Sequence, residues 1–151
     1  MSTHVRLRGD GADWLFGADG NDSLSGGNDG DAMVGGTGDD SMLGDAGNDW
    51  MQGDTGNDSL VGGTGDDFMQ GGDGADTFFF AAGSGQDRVL DFLHGTDHLN
   101  IAGFGLADFT AVQGHASVVA EGLRISNDSG DAFVLAGVAA GVLTVGDFIF
   151  T

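Results

Sequence analysis

An aspartate returns at every ninth residue along the first half of this chain: Asp13, Asp22, Asp31, Asp40, Asp49, Asp58, Asp67 and Asp76. A helix brings side chains back to one face every 3.6 residues and a strand every second residue, so a period of nine belongs to neither. Each aspartate closes a glycine-rich turn and is followed, two residues on, by one apolar side chain. That series reads Leu15, Leu24, Met33, Met42, Met51, Leu60, Met69, Phe78. The unit is G-G-x-G-x-D-x-U-x with U apolar, and residues 35–43 show it in full. Such a unit cannot bury its apolar residue alone and must stack on its neighbours.

The first position is glycine in seven of the eight repeats, with Arg8 as the exception. The fourth is glycine at Gly11, Gly20, Gly38, Gly47, Gly56, Gly65 and Gly74, with Asp29 as the exception. Glycine at fixed offsets marks a positive φ or a close backbone approach. Nine residues are too few to close a coil, so two repeats predict one coil of a right-handed parallel β-roll, an all-β solenoid. Turns on one edge then lie about 4.8 Å apart, the ordinary strand spacing. Asp13, Asp31, Asp49 and Asp67 fall in one column, and Asp22, Asp40, Asp58 and Asp76 in the other. Three gaps in each column give six sites between turns.

Charge decides what fills those gaps. Two carboxylates about 4–5 Å apart repel by about 3–4 kcal/mol at an effective dielectric near 20. Six such contacts total on the order of 20 kcal/mol, more than the roughly 5–15 kcal/mol that holds a domain together. The roll is therefore not expected to close unaided. A hard divalent cation between turns reverses the sign, with the aspartates and the carbonyls of the turn glycines as candidate ligands. Calcium accepts six to eight oxygens, whereas magnesium demands a tighter octahedron, and no Cys or His lies in the repeats to favour zinc. The reading is about six Ca²⁺ ions. A disordered acidic linker would not keep an eight-for-eight period with an apolar residue in phase, although disorder is what the calcium-free chain should show.

The net charge is −20, and sixteen of the 24 acidic residues lie between Asp10 and Asp76 with no base among them. A surface like this repels nucleic acid, anionic lipid and acidic polysaccharide unless calcium bridges them. Cysteine is absent. Residues 1–8 lack the apolar run of a secretory signal peptide. The stretch 132–146 is too short and too glycine-broken to span a bilayer, which takes about 20 apolar residues.

Beyond Phe78 the repeat loosens. Residues 82–90 form a ninth turn delayed by two residues, with Asp87 in the aspartate position, and residues 94–99 form a weaker tenth with Asp97. These two could extend the odd and even columns and hold one or two further ions. Residues 99–151 lose the pattern; 117–120, 123–126 and 132–136 read as short strands around turns such as 127–130. An open last coil is an aggregation-prone edge that needs covering, so a β-rich cap is expected over 99–151, after a roll over 8–98. Phe78, Phe79, Phe80, Phe92, Phe104 and Phe109 are assigned to its core.

The repeats, the junction Gly71-Gly72-Asp73-Gly74-Ala75-Asp76-Thr77-Phe78, and the Asp91-Phe92 and Gly95-Thr96-Asp97 that follow resemble the RTX, or hemolysin-type, C-terminal domains of type I secreted exoproteins of Gram-negative bacteria. The terminal Asp147-Phe148-Ile149-Phe150 is similar to the end of their uncleaved export signals. The resemblance implies a secreted, extracellular protein that leaves the cell unfolded through a type I apparatus and folds on meeting calcium outside.

An enzyme reading finds little. Cysteine and tyrosine are missing, no serine sits in a nucleophile elbow, and His4, His94, His98 and His115 form no triad. His94 and His98 have zinc-ligand spacing only on a helix, which Gly95 argues against. Other readings are a polysaccharide-binding module, an ice-binding one, or the non-catalytic end of a secreted hydrolase or epimerase. Against the first, Arg88 and Arg124 are the only bases after Arg8; against the second, the ranks Thr37/Thr55 and Asn21/Asn57 are broken.

Overall fold

The computed structural model describes residues 4–7 and 9–151; Arg8, the expected opening of the first repeat, lies outside them. Each of the eight repeats lays down one strand beginning just after its aspartate: β2 (Trp14–Asp19), β3 (Ser23–Asn28), β4 (Ala32–Thr37), β5 (Ser41–Ala46), β6 (Trp50–Thr55), β7 (Ser59–Thr64), β8 (Phe68–Asp73) and β9 (Thr77–Ala81). A short β1 (Val5–Leu7) precedes them. Then follow β10 (Gln86–Val89), β11 (His98–Gly103), helix α1 (Phe109–His115), β12 (Ala116–Val119), β13 (Gly122–Ser126), β14 (Ala132–Ala136) and β15 (Phe148–Ile149).

Successive strands alternate between two sheets, as two repeats per coil require. One sheet runs β1-β3-β5-β7-β9-β11-β15 and the other β2-β4-β6-β8-β10-β14-β13-β12. Within the repeats every pairing is parallel, with residue i opposite i + 18, as in Leu15 to Met33 and Met33 to Met51. The chain is a parallel β-solenoid. Its core is a file of single side chains, Leu15, Leu24, Met33, Met42, Met51, Leu60, Met69 and Phe78, each at most 1% exposed. Strand alternation also turns the first-position glycine inward, next to that file.

The coil widens after β9. Phe80 stacks on Phe133 with ring centroids 4.0 Å apart, and Phe104 meets Phe133 edge-on at 5.2 Å. Phe148 packs between Phe109 and Phe150. Phe79 corrects the expected core: it follows Phe78 by one residue, so the pleat turns it to the outer face, where it is half-buried. Phe133 and Phe148 take the room instead.

Two further elements depart from the sequence reading. Residues 109–115 are helical because Asp108 caps them, its carboxylate accepting from the Ala111 N–H at 2.9 Å. A 3-10 turn at Val145–Asp147 leads into β15, which joins the first sheet beside β11. The strands expected at 117–120, 123–126 and 132–136 are β12, β13 and β14, an antiparallel unit attached through β14 to β10.

Candidate metal centre

The aspartates of each column are linked by a repeated hydrogen bond. The backbone N–H of each donates to Oδ1 of the aspartate one coil further along. Asp13 donates to Asp31 and Asp31 to Asp49, both at 2.7 Å, and Asp49 to Asp67 at 2.9 Å. In the other column Asp22 donates to Asp40 at 2.7 Å, Asp40 to Asp58 at 2.8 Å and Asp58 to Asp76 at 2.9 Å. The late turns join by the same bond, Asp67 to Asp87 at 3.2 Å and Asp76 to Asp97 at 3.1 Å. At the other end the N–H of His4 donates to Asp22 at 2.5 Å, so His4 stands where a preceding repeat would place its aspartate. The carboxylates thus face backbone rather than one another, which corrects the picture of directly paired acids.

The second oxygen carries the argument. Oδ2 of Asp22, Asp31, Asp40, Asp49, Asp58, Asp67 and Asp76 is buried with no hydrogen-bond partner. A buried, unpaired carboxylate oxygen loses its hydration for nothing in return. Each of these atoms folds back against the inward first-position glycine of its own turn. A methyl group on Gly26, Gly35, Gly44, Gly53, Gly62 or Gly71 would collide with it. The first glycine is therefore required for space, not for φ. The fourth is required for both: Gly38, Gly56 and Gly65 have φ of 121°, 138° and 135° and press on the carbonyls of Gly20, Gly38 and Gly47 one coil back.

Burial pushes the Asp58 and Asp87 carboxyls up to about 7 and those of Asp67 and Asp76 up to about 6; backbone N–H groups oppose this, and neighbouring carboxylates of the columns reinforce it. Asp40, Asp49 and Asp97 are raised for the same first reason. Burial, more than mutual repulsion, is what disfavours the charged columns. Among the described residues no three His, Cys, Asp or Glu side chains converge on a point. A cation here must complete its shell with backbone carbonyls and water, a hard all-oxygen donor set that suits calcium.

The irregular repeats keep their turns. Asp29, in place of the fourth glycine, adopts φ 73° and accepts from the Gly11 N–H at 3.1 Å. The flanking Asp13–Asp31 and Asp31–Asp49 bonds match the rest of the ladder, so Asp29 leaves it unbroken. Asp45 and Asp54 take the left-handed second position at φ 74° and 77°; Asp45 accepts from the Ser25 hydroxyl at 2.8 Å and Asp54 from the Gln52 amide. One feature escaped the sequence reading. Fifth-position side chains form a second ladder of opposite polarity: Asn21 accepts from the Asp39 N–H, Asp39 from Asn57 and Asn57 from Ala75. Asn48 and Asp66 repeat it on the other edge. The signal was the run of Asn and Asp just before the column aspartates.

The last coils use aspartate differently. Asp131 accepts from the Gly83 N–H at 3.0 Å and the Asn127 amide at 2.9 Å, and these bonds hold its carboxyl below the usual range. Asp147 is buried, which alone would raise it, but the Thr144 and Gly95 N–H groups, the Thr144 hydroxyl and His94 bring it below the ordinary value. His94 Nδ1 lies 2.8 Å from Asp147 in a turn, not on a helix with His98.

These columns coincide with a known repeat. The model of the RTX calcium-binding nonapeptide repeat matches four times, over residues 8–42, 25–60, 43–78 and 52–89. The chain belongs to the RTX calcium-binding repeat family. It is a calcium-binding β-roll, and the family is typically a non-catalytic module. No curated protein matches the chain as a relative. Among solved structures it is similar to the AlgE6R3 subunit of the Azotobacter vinelandii mannuronan C5-epimerase, with 27% identity and TM-score 0.55 over 89% of this chain and 81% of that one. The AlgE6R2 subunit matches at 27% identity and TM-score 0.55, over 90% and 91%. The extracellular lipase LipA of Serratia marcescens shares the fold at 16% identity and TM-score 0.54; this RTX chain aligns over its whole length with 40% of the lipase. No helix among the described residues is long and apolar enough to cross a membrane.

Proposed function

We propose that this chain is a calcium-driven folding module of a type I secreted exoprotein, held unfolded where calcium is scarce and closed into its roll outside the cell. The observation that carries this reading is the set of seven buried Oδ2 atoms without partners. A metal-free roll would bury these oxygens uncompensated, whereas one cation per inter-turn step would satisfy them. The ligands are Asp13, Asp22, Asp31, Asp40, Asp49, Asp58, Asp67 and Asp76, with Asp87 and Asp97 at the column ends. Carbonyls of the turns at Gly11, Gly20, Gly38, Gly47, Gly56, Gly65 and Gly74 complete the shells. Eight ladder steps set the upper count, six between full repeats and two reaching Asp87 and Asp97. Extracellular calcium modules bind at about 10⁻⁴–10⁻³ M, which matches a switch between cytosol and exterior. Residues 8–98 form the roll, and residues 99–151 cap it and carry the export determinant at 147–150. The module performs no catalysis and serves the export and stability of whatever it is joined to.

Equilibrium dialysis against calcium tests the count. The expected result is about six to eight ions per chain, one for each occupied step of the ladder. Fewer than six would contradict the assignment of the columns as shared sites.

A further inference from the structure

The two outer faces of the roll are unlike. On the first sheet the residues just after the aspartates are Ser23, Ser41, Ser59 and Thr77. On the second they are Trp14, Ala32, Trp50, Phe68 and Arg88, stacked in register on successive coils. Trp14, Trp50 and Phe68 are 69%, 37% and 43% exposed, and Phe16 stacks beside Trp14 at 6.2 Å. Both tryptophans of the chain are spent on this face. They lie two strand steps apart, about 9.6 Å, with the small Ala32 between them. Beside Trp50 and Phe68 the sheet dips into a cleft of about 480 Å³, edged by the polar side chains of Asn48, Asp66 and Gln86 and bordered on its turn side by the column aspartates Asp49 and Asp87.

An aromatic shelf edged by amides and carboxylates at strand spacing is chemically specific. Ring faces cover the C–H faces of pyranose sugars, and amide and carboxylate groups at the rim bind their hydroxyls. At the end of the cleft the Arg88 guanidinium lies 5.8 Å over the Phe68 ring. Arg124, the other base on this face, is already bonded to Gln86 at 3.1 Å. The Asp66 carboxylate in the rim disfavours anionic chains at this face. We propose that the outer face of the second sheet, from Trp14 to Arg88, binds an uncharged hexopyranose oligosaccharide, its rings stacked on Trp14, Trp50 and Phe68.

The test titrates the full chain in saturating calcium with cellohexaose, mannohexaose, maltohexaose and an oligomannuronate, following tryptophan fluorescence and calorimetric heat. Circular dichroism confirms that each variant retains the calcium-loaded spectrum. Saturable binding of at least one neutral hexasaccharide is expected, weakened about tenfold or more by W50A and by F68A and unchanged by L43A on the opposite sheet. Three results would overturn the proposal: no neutral hexasaccharide binds, folded W50A and F68A bind as well as the parent, or oligomannuronate is preferred.

Discussion

The roll and the last coils both bury aspartates, and they treat them in opposite ways. Asp58 and Asp67 sit in a narrow stack with one oxygen bonded and the other bare, and their carboxyls are raised. Asp147 is as deeply buried yet meets two N–H groups, a hydroxyl and an imidazole, and its carboxyl is lowered. The hydrophobic support differs in parallel. The roll has one apolar side chain per nonapeptide, whereas the end has an aromatic cluster around Phe133. Burial alone therefore says nothing about whether a charge is satisfied. The roll leaves its second carboxylate oxygens without a protein partner; the end completes its own bonding.

The largest consequence is with pH. The raised carboxyls contribute stability that is full below the ordinary aspartate value near 3.8 and is lost as pH rises through about 6–7. In chelator, far-UV circular dichroism should show clearly more β-structure at about pH 4.5 than at pH 8, protons standing in for calcium. Asp131 and Asp147 work the other way, their contribution fading as pH falls below the ordinary value. A chelated chain equally disordered at both pH values would break the comparison.

Next in size is the aromatic cluster. Phe133→Ala should destabilise the calcium-loaded chain by about 4 kcal/mol, read from thermal or denaturant melting. A loss below about 1 kcal/mol would mean that the wide end is not a packed core.

A matched pair of substitutions then separates the two kinds of aspartate. Asp58→Asn keeps the acceptor for the Asp40 N–H but removes the charge, so it should raise the calcium midpoint several-fold and cost about 2–3 kcal/mol at fixed calcium. Asp147→Asn should cost about 1–2 kcal/mol but shift the calcium midpoint by less than about twofold, because that loss is spread over all the ions taken up on folding. Equal calcium sensitivity in both would erase the distinction.

The contrast also explains what could be read from the sequence. A period is visible without any structure, and the columns, the sheet alternation and the inward series from Leu15 to Phe78 all follow from it. Asp87 and Asp97 were legible as late members because their turns keep Gly before Asp. The last coils have no period to count. Helix α1 rests on one cap at Asp108, and Asp147 draws its partners from His94 and Gly95, more than fifty residues away. Phe79 belongs with the legible part: it follows the inward Phe78 by one residue, so the same period that places Phe78 turns it outward. The bare Oδ2 atoms and the reason for the first glycine are three-dimensional facts, since both depend on the aspartate folding back over its own turn.

The smallest effect concerns the turns themselves. Ala18 holds φ 84°, a conformation costly for a side chain with a Cβ, where most other repeats carry glycine or aspartate. Ala18→Gly should stabilise the loaded roll by up to about 1 kcal/mol, seen as a higher melting temperature. A lower one would show that the second position is not strained.

The most direct measurement is a calcium titration from chelator at neutral pH, followed by far-UV circular dichroism. The account predicts a disordered spectrum that converts cooperatively to β-structure at about 10⁻⁴–10⁻³ M calcium. A chain already folded in chelator and indifferent to calcium would mean that the bare carboxylate oxygens tolerate burial without a cation, and the account would be wrong at its centre.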